Sequence, residues 1–328
     1  MNDKYLILYF TVFFSSLFLT FIAERYLLRL LSGRAAQPIY SDGPKWHINK
    51  SGTPTMGGIG FIFASLLTLV LSSAFLHSAN RNDEAISILV CTVFATLNAL
   101  IGIVDDMTKI KRKNNKGLSA MQKLILQLLL STLFLVTRYV LFSAPTTLSF
   151  SFGEIDLGKW YYPFALIALL GTINCANLTD GIDGLASSVA ATIGLVLFLF
   201  TSFRFNDVAV ISSSLIGATL GFLIYNRHPA RIFMGDTGSL FLGAFTVSCA
   251  FALGNPVIMI FVGICYLIEG LSVILQVAYF KLSGKRLFKM APLHHHLEKC
   301  GMTEPSVCML AILVTLICSI PAFGLFFV

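Results

Sequence analysis

Ile86-Ser-Ile-Leu-Val-Cys-Thr-Val-Phe-Ala-Thr-Leu-Asn-Ala-Leu-Ile-Gly-Ile-Val104 runs without a charge into Asp105-Asp106-Met-Thr-Lys109. As a helix, such a run is long enough to cross a hydrocarbon core of about 30 Å. The same form, an uncharged run closed by a short polar segment, recurs along the whole chain. Of the 328 residues, 56% are hydrophobic and 12% charged, and mean hydropathy is +0.82. Soluble domains carry about 25% charged residues, so a water-soluble fold is excluded. Membrane β-barrel strands would alternate over segments of roughly ten residues, and that pattern is absent. The chain reads as an all-α, polytopic integral membrane protein, a single domain over 1–328.

Ten spans are expected near 5–23, 57–75, 86–104, 124–142, 161–175, 185–203, 209–225, 238–254, 256–280 and 306–327. The eighth and ninth are parted only by Gly254-Asn255-Pro256, a turn by composition. Glu24, Arg25 and Arg29 follow the first apolar run, so it reads as a span and not as a cleavable signal. Eighteen of the 23 lysines and arginines fall in odd-numbered loops and four on the opposite side, with Arg138 inside the fourth span. Basic residues collect in cytoplasmic loops. The cytoplasmic loops are therefore expected near 24–56, 105–123, 176–184, 226–237 and 281–305, with both termini outside and a small external hairpin over 146–158. Membrane orientation accounts for the net charge of +7 without invoking nucleic acid. The seven cysteines show no C-x-x-C spacing and read as small buried hydrophobes.

This sorting puts Asp105, Asp106, Asp180, Asp183 and Asp236 on one face of the membrane. Carboxylates beside hydrocarbon are costly and mark functional sites. The Asp105-Asp106 pair is expected to open the third loop, where ordinary interfacial charge would fit poorly, since two acids at a helix C-terminus oppose the macrodipole. Adjacent carboxylates can hold a metal or take a proton. Asn177-Leu-Thr-Asp180-Gly-Ile-Asp183-Gly184 reads either as a broken polar loop lining a cavity or as plain D-G turns. Phe233-Met-Gly-Asp236-Thr-Gly-Ser239 precedes a helix, so Asp236 is a site residue or an N-terminal cap. Its glycines, like those of Thr53-Pro-Thr-Met-Gly-Gly58, offer backbone N–H groups to a phosphate. In Ala291-Pro-Leu-His294-His295-His296, three consecutive histidines cannot share one helix face, which favours an extended loop giving imidazoles to an anion over a zinc site. Glu269 and Gln276 form either a polar seam or part of the site. Excess acid at a phosphate-handling face points to Mg²⁺. Lys50, Lys109, Lys113, Lys116 and Lys123 suit a polyphosphate or nucleotide, and the position at the interface suits a lipid as the second substrate.

The five ordered blocks P-T-M-G-G, V-D-D-M-T-K, N-L-T-D-G-I-D-G-L-A, F-M-G-D-T-G-S-L and M-A-P-L-H-H-H-L-E resemble the signature of the polyprenyl-phosphate N-acetylhexosamine-1-phosphate transferases, from about Pro38 to Glu304. The His triplet beside A-P resembles the phospho-N-acetylmuramoyl-pentapeptide-transferase branch. This resemblance implies a Mg²⁺-dependent transfer of phospho-MurNAc-pentapeptide from UDP-MurNAc-pentapeptide to undecaprenyl phosphate, giving lipid I and UMP at the bacterial inner membrane. A homodimer is compatible with it. Catalytic roles would fall to Asp105 as base, Asp106, Asp236 and His294, with Asp236 and Asp106 at the metal. Asn177, Asp180 and Asp183 would line the nucleotide pocket, with Phe233 on uracil and Lys50, Gly184 and Asn226 around the nucleoside. Lys109, Lys113 and Lys123 would hold phosphates, His295 the sugar-phosphate, with His296 and Gln276 also at the substrate. The alternatives are a UDP-GlcNAc:polyprenyl-phosphate transferase, against which the His triplet speaks, and a ten-span transporter. A transporter would place its acids near the bilayer midplane.

Overall fold

Where water is absent a backbone must satisfy its own polar groups, and apolar runs of this length do so as helices. The computed structural model of the chain describes residues 3–32, 50, 52–112, 116–203 and 206–326. Among these residues, twelve α-helices are ordered as α1 (Asp3–Leu31), α2 (Gly58–Ser78), α3 (Asn82–Arg112), α4 (Ala120–Phe142), α5 (Tyr161–Thr179), α6 (Leu185–Thr201), α7 (Asp207–Asn226), α8 (Gly235–Ala252), α9 (Ile258–Val262), α10 (Ile264–Ser283), α11 (Leu293–Lys299) and α12 (Glu304–Phe326). Between α4 and α5, β1 (Thr147–Phe150) pairs antiparallel with β2 (Gly153–Asp156), Thr147 opposite Asp156 and Phe150 opposite Gly153. Eight helices are long and apolar enough to cross a membrane among the described residues.

α8 is the central post, buried from Thr237 to Phe251 and packed chiefly on α3 and α5. Lipid offers helices no hydrophobic reason to associate, so close backbone approach must supply the attraction. Glycines provide it. A Cβ on Gly102 would lie 2.3 Å from the Asp236 carbonyl oxygen, one on Gly243 2.8 Å from the Ile173 Cα, and one on Gly58 2.5 Å from the Gly238 Cα. The outer helices α4 and α12 bury only 28% and 22% of their most apolar stretches and turn Leu129, Val140, Ile317 and Ile320 outward, as a lipid-facing surface requires. Some intramembrane polar groups are matched across helices. Arg138 donates to Ser87 Oγ and the Phe251 carbonyl, and Ser16 Oγ lies 2.9 Å from both Thr68 Oγ1 and Ser214 Oγ.

The two ends of the bundle differ. At one, Ser151 N–H of the hairpin donates to the Leu325 carbonyl and Asn255 Nδ2 to the Ser149 carbonyl, so even-numbered connections meet there. The odd-numbered connections meet at the other end and build the site described below.

Several boundaries depart from expectation. α1 continues to Leu31, so the first loop starts later than residue 24. α3 runs two turns beyond Val104, which puts Asp105 and Asp106 inside the helix and not at the start of a loop. Lys109 explains this, because its ammonium faces both acids one turn on and offsets the unfavourable dipole. The ninth span is broken at Gly263 into α9 and α10. The His triplet is helical, in α11. Lys113 lies outside the described residues, as does Pro38.

Candidate active site

Three carboxylates and two ammonium groups meet where α3, α4 and α8 converge. Lys109 Nζ lies 2.6 Å from Asp105 Oδ2, 3.8 Å from Asp106 Oδ1 and 3.2 Å from Asp236 Oδ1. Lys123 Nζ lies 3.1 Å from Asp105 Oδ2 and pairs closely with Asp236 Oδ2. A capping box, Ser119 with Gln122, starts α4 and thereby places Lys123 one turn in. Just before it, Leu118 N–H donates to Asp105 Oδ1 at 2.7 Å, and Gly117 is needed there because a Cβ would fall 2.2 Å from that oxygen.

The first turn of α8 shows which acid does what. Its N–H groups have no partner within the helix. Asp106, reaching across from α3, accepts from Asp236 N–H at 3.2 Å, Thr237 N–H at 2.9 Å and Thr237 Oγ1 at 2.7 Å. The capping acid is thus Asp106 and not Asp236, whose carboxylate is left to face the lysines. Donor oxygens of Asp105, Asp106 and Asp236 all lie within 4.8 Å of one another. An all-oxygen donor set of this kind fits a hard divalent cation. The N–H groups of Gly57, Gly58 and Gly238, by contrast, are spent internally: Gly57 donates to the Phe233 carbonyl and Gly58 and Gly238 to that of Met234, while Phe233 donates to Pro54. They clamp the two blocks together instead of meeting a phosphate.

Asp180 follows α5 beside this cluster, with no hydrogen-bond partner for its carboxyl among the described residues. Burial first, then the charges of Asp236, Asp106 and Asp183, push it up to about 8. An acid whose folded value is raised binds more protons folded than unfolded, so its stability cost grows as pH rises from about 4 to about 8. Asp180→Asn in chelator should therefore melt higher than the parent, with a difference near zero at about pH 4 and largest, a few degrees, at about pH 8. Melting curves across that range would show it; a constant offset would refute it.

A second group lies around Lys50. Its ammonium donates at 2.7 Å to both Asp183 Oδ1 and Glu304 Oε2, and Asp183 Oδ2 accepts from Ala230 N–H at 2.9 Å. A third group is built on α10 and α11: His294 Nδ1 lies 3.1 Å from Glu269 Oε2, and its backbone N–H reaches both Glu269 oxygens. His294 Nε2 is buried without a partner among the described residues and abuts Gly181, where a Cβ would lie 2.1 Å away. The Thr55 hydroxyl is likewise buried and unpartnered, beside Asp106 and Gly235.

Residues 86–254 match the family model described as glycosyl transferase family 4. The chain is 42% identical over 289 residues to a protein of Clostridium perfringens (strain 13) named phospho-N-acetylmuramoyl-pentapeptide-transferase, covering 88% of this chain and 89% of that one. It is 43% identical to proteins of the same name from Caldanaerobacter subterraneus and Thermoanaerobacter sp., over 89% of each chain. The chain belongs to the phospho-N-acetylmuramoyl-pentapeptide-transferase family. It is also a multi-pass membrane protein, with transferase blocks that the fold assembles at one end.

Within this transferase framework, the residues expected at the site divide into two kinds. Asp105, Asp106, Asp236, Lys109 and Lys123 form one cluster, with Asp180 beside it and Asn177 joined to α8 through Ser239 Oγ at 2.8 Å. Others hold the walls. Asn226 bonds Ser187 on one side and the Ile232 carbonyl on the other, and Gly184 takes φ +78 to enter α6. Gln276 Oε1 accepts from Phe288 N–H, tying the loop after α10. His295 pairs with Glu298, and His296 Nδ1 accepts from Lys289 N–H, facing away from buried His294. Phe233 is half-buried, its backbone bonded to Pro54 and Gly57. Four participants were not expected: Thr55, His228, whose Nδ1 lies 3.2 Å from Asp183 Oδ2, Glu269 as the holder of His294, and Glu304. Glu269 carried a signal, as an acid inside an apolar span, and Thr55 lies within the Thr53–Gly58 block.

Proposed function

We infer that the chain transfers phospho-MurNAc-pentapeptide from its UDP carrier to a polyprenyl phosphate in the membrane, a step of peptidoglycan synthesis that gives lipid I and UMP. The observation that carries this reading is identity of 42% over 88% of the chain to proteins named for that transfer. Its finer parts are undecaprenyl phosphate as the lipid, Mg²⁺ as the metal, and the bacterial inner membrane as the location. They also include ten spans (the eight long helices with α6 and α8), both termini outside, the acidic end in the cytoplasm, and a homodimer. The excess of basic residues at the acidic end supports the orientation.

Chemically, an oxygen of the lipid phosphate attacks the β-phosphorus of the nucleotide sugar, the bond to the bridging oxygen breaks, and UMP departs. A phosphate nucleophile needs little activation, so positioning and charge neutralisation supply most of the rate. Mg²⁺ held by Asp236, with Asp106 beside it, would neutralise the diphosphate. Among the described residues, three carboxylates face two ammonium groups, and this surplus of negative charge favours taking up a cation before a diphosphate. Lys109 and Lys123 are the protein's own cations for phosphate oxygens. The Leu118 N–H holds Asp105 Oδ1, so Oδ2, which would have to exchange its ion pairs with Lys109 and Lys123, is the oxygen that would accept a proton from the lipid phosphate. His294 would meet the substrate through Nε2, its other nitrogen being oriented by Glu269.

Purified protein given UDP-MurNAc-pentapeptide, undecaprenyl phosphate and Mg²⁺ should release UMP, and chelator should stop it. Release with UDP-GlcNAc alone, or none at all, would overturn the assignment.

A further inference from the structure

Arg138 lies inside α4, only 8% exposed, in a helix that otherwise turns mostly outward. Part of its duty is structural. One terminal nitrogen donates to Ser87 Oγ at 3.2 Å, the other to the Phe251 carbonyl at 3.1 Å, and its Cζ lies 4.4 Å from the centre of the Phe142 ring. A guanidinium has five N–H donors, so three remain without a partner among the described residues. No carboxylate lies within 4.0 Å of it among those residues either, and Asp207 approaches only the Ser87 side chain that Arg138 also uses. Buried charges are ordinarily paired, because an unpaired one gives up its hydration with nothing in return. A hydroxyl and a carbonyl do not supply that counter-charge.

Arg138 lines a cavity of about 90 Å³ at the hairpin end of the bundle, together with Tyr139, Phe142, Tyr161, Tyr162 and Phe251. Tyr161 is buried, its hydroxyl has no partner among the described residues, and it lies within the field of the guanidinium. α5 starts at this residue, which puts the positive end of its dipole at the same wall. The opposing negative end of α8 is offset, since its Phe251 carbonyl already accepts from Arg138. Cation, hydroxyl and helix start all favour an anion. The volume admits a group the size of a phosphate and is too small for a nucleotide. The place is also separate from the acidic cluster, roughly 22 Å along α8 from Asp236 at 1.5 Å per residue.

Position selects the source of the anion. Tyr139 is 58% exposed on the outward side of α4, and Trp160, just before α5, is 70% exposed. Exposed aromatic residues at the end of a span sit at the headgroup level of a bilayer. A headgroup at that level meets the cavity sideways, and arginine suits a phosphate through paired N–H donors. None of the lining residues is acidic, so nothing there receives the ammonium of a zwitterionic lipid.

We propose that Arg138 and Tyr161 form a binding site for the phosphodiester of an anionic phospholipid, taken from the leaflet at the hairpin end. The bound headgroup supplies the counter-charge that Arg138 lacks and joins α4 to the start of α5.

The probe is dioleoyl phosphatidylglycerol, titrated into the full chain purified in a neutral detergent. Binding is read as a rise in melting temperature and as lipid-bound species in native mass spectrometry. The parent should gain a few degrees and hold one lipid that Arg138→Gln does not hold. Apparent affinity should fall at least tenfold in Arg138→Gln and about tenfold in Tyr161→Phe, as when a hydrogen bond to a charged group is lost. Tyr161→Phe removes only a hydroxyl without another partner, so it decides the matter if Arg138→Gln does not fold. Equal affinity in the parent and Tyr161→Phe, or in the parent and a folded Arg138→Gln, overturns the site. Dioleoyl phosphatidylcholine and inorganic phosphate are the two controls, and both should stabilise the parent less. An equal gain from phosphatidylcholine overturns the anionic headgroup, and an equal gain from inorganic phosphate overturns a lipid as the occupant.

Discussion

Asp236→Ala should lower UMP release by about a thousandfold, the size of effect seen when a preorganised electrostatic group is removed from a transition state. The protein should stay folded, and the reason lies in who caps α8. Asp106 takes the Asp236 and Thr237 N–H groups, so truncating the Asp236 side chain leaves the helix start intact. Lys109 and Lys123 keep Asp105 as a partner, at 2.6 and 3.1 Å. What disappears is the one carboxylate of the three that faces both lysines without being tied to a backbone. The parent-like control is the melting temperature, which should hold within a few degrees. The same truncation at Asp106 should cost activity and also lower the melting temperature, because a helix cap is worth about 1 kcal/mol. Asp236→Ala retaining more than about a tenth of the parent rate would remove it from the reacting centre.

Gly102→Ala should also be damaging, although the residue has no side chain to offer a substrate. A Cβ there would sit 2.3, 2.4 and 2.5 Å from the Asp236 carbonyl oxygen, the Asp236 carbonyl carbon and the Thr237 nitrogen. These are backbone atoms at the start of a buried helix and cannot swing aside as a side chain would. α3 and α8 must separate, and with them Asp105 and Asp106 on one side and Asp236 on the other. Overpacking of this kind costs about 1–3 kcal/mol of stability. A displacement on the order of 1 Å among reacting groups costs roughly a hundredfold in rate. The expected signature is a rate lowered by about that factor with a melting temperature down by several degrees. Parent-like kinetics would mean that the three carboxylates do not act at the spacing described.

Much of this was legible from residue order, and the physical reason is the bilayer. Helices were readable because apolar length must match hydrocarbon thickness. Asp105, Asp180 and Asp236 stood out because charge is expensive at the end of such a run. Sorting of lysines and arginines along the chain places Asp105, Asp106, Asp180, Asp183 and Asp236 on one side. The boundaries that failed are those where a tertiary partner changed a local balance. Two acids at the end of α3 look like a helix stop until Lys109 is seen to offset them. Gly263 breaks the ninth span without a sequence signal stronger than one glycine. The His triplet reads as an extended loop by face counting, yet it winds into α11, where only His294 is directed to Glu269.

Residue order alone thus determined an all-helical membrane protein whose acids, lysines and histidines share one end, because span length and charge cost act locally along the chain. Only the tertiary structure decided the roles. Asp106 became the cap of α8, Asp236 was left facing the lysines, and Glu304 was brought some 250 residues along the chain to Lys50. Those assignments depend on which helix end meets which side chain across the bundle, a relation set by glycine-mediated close packing and absent from any local stretch of sequence.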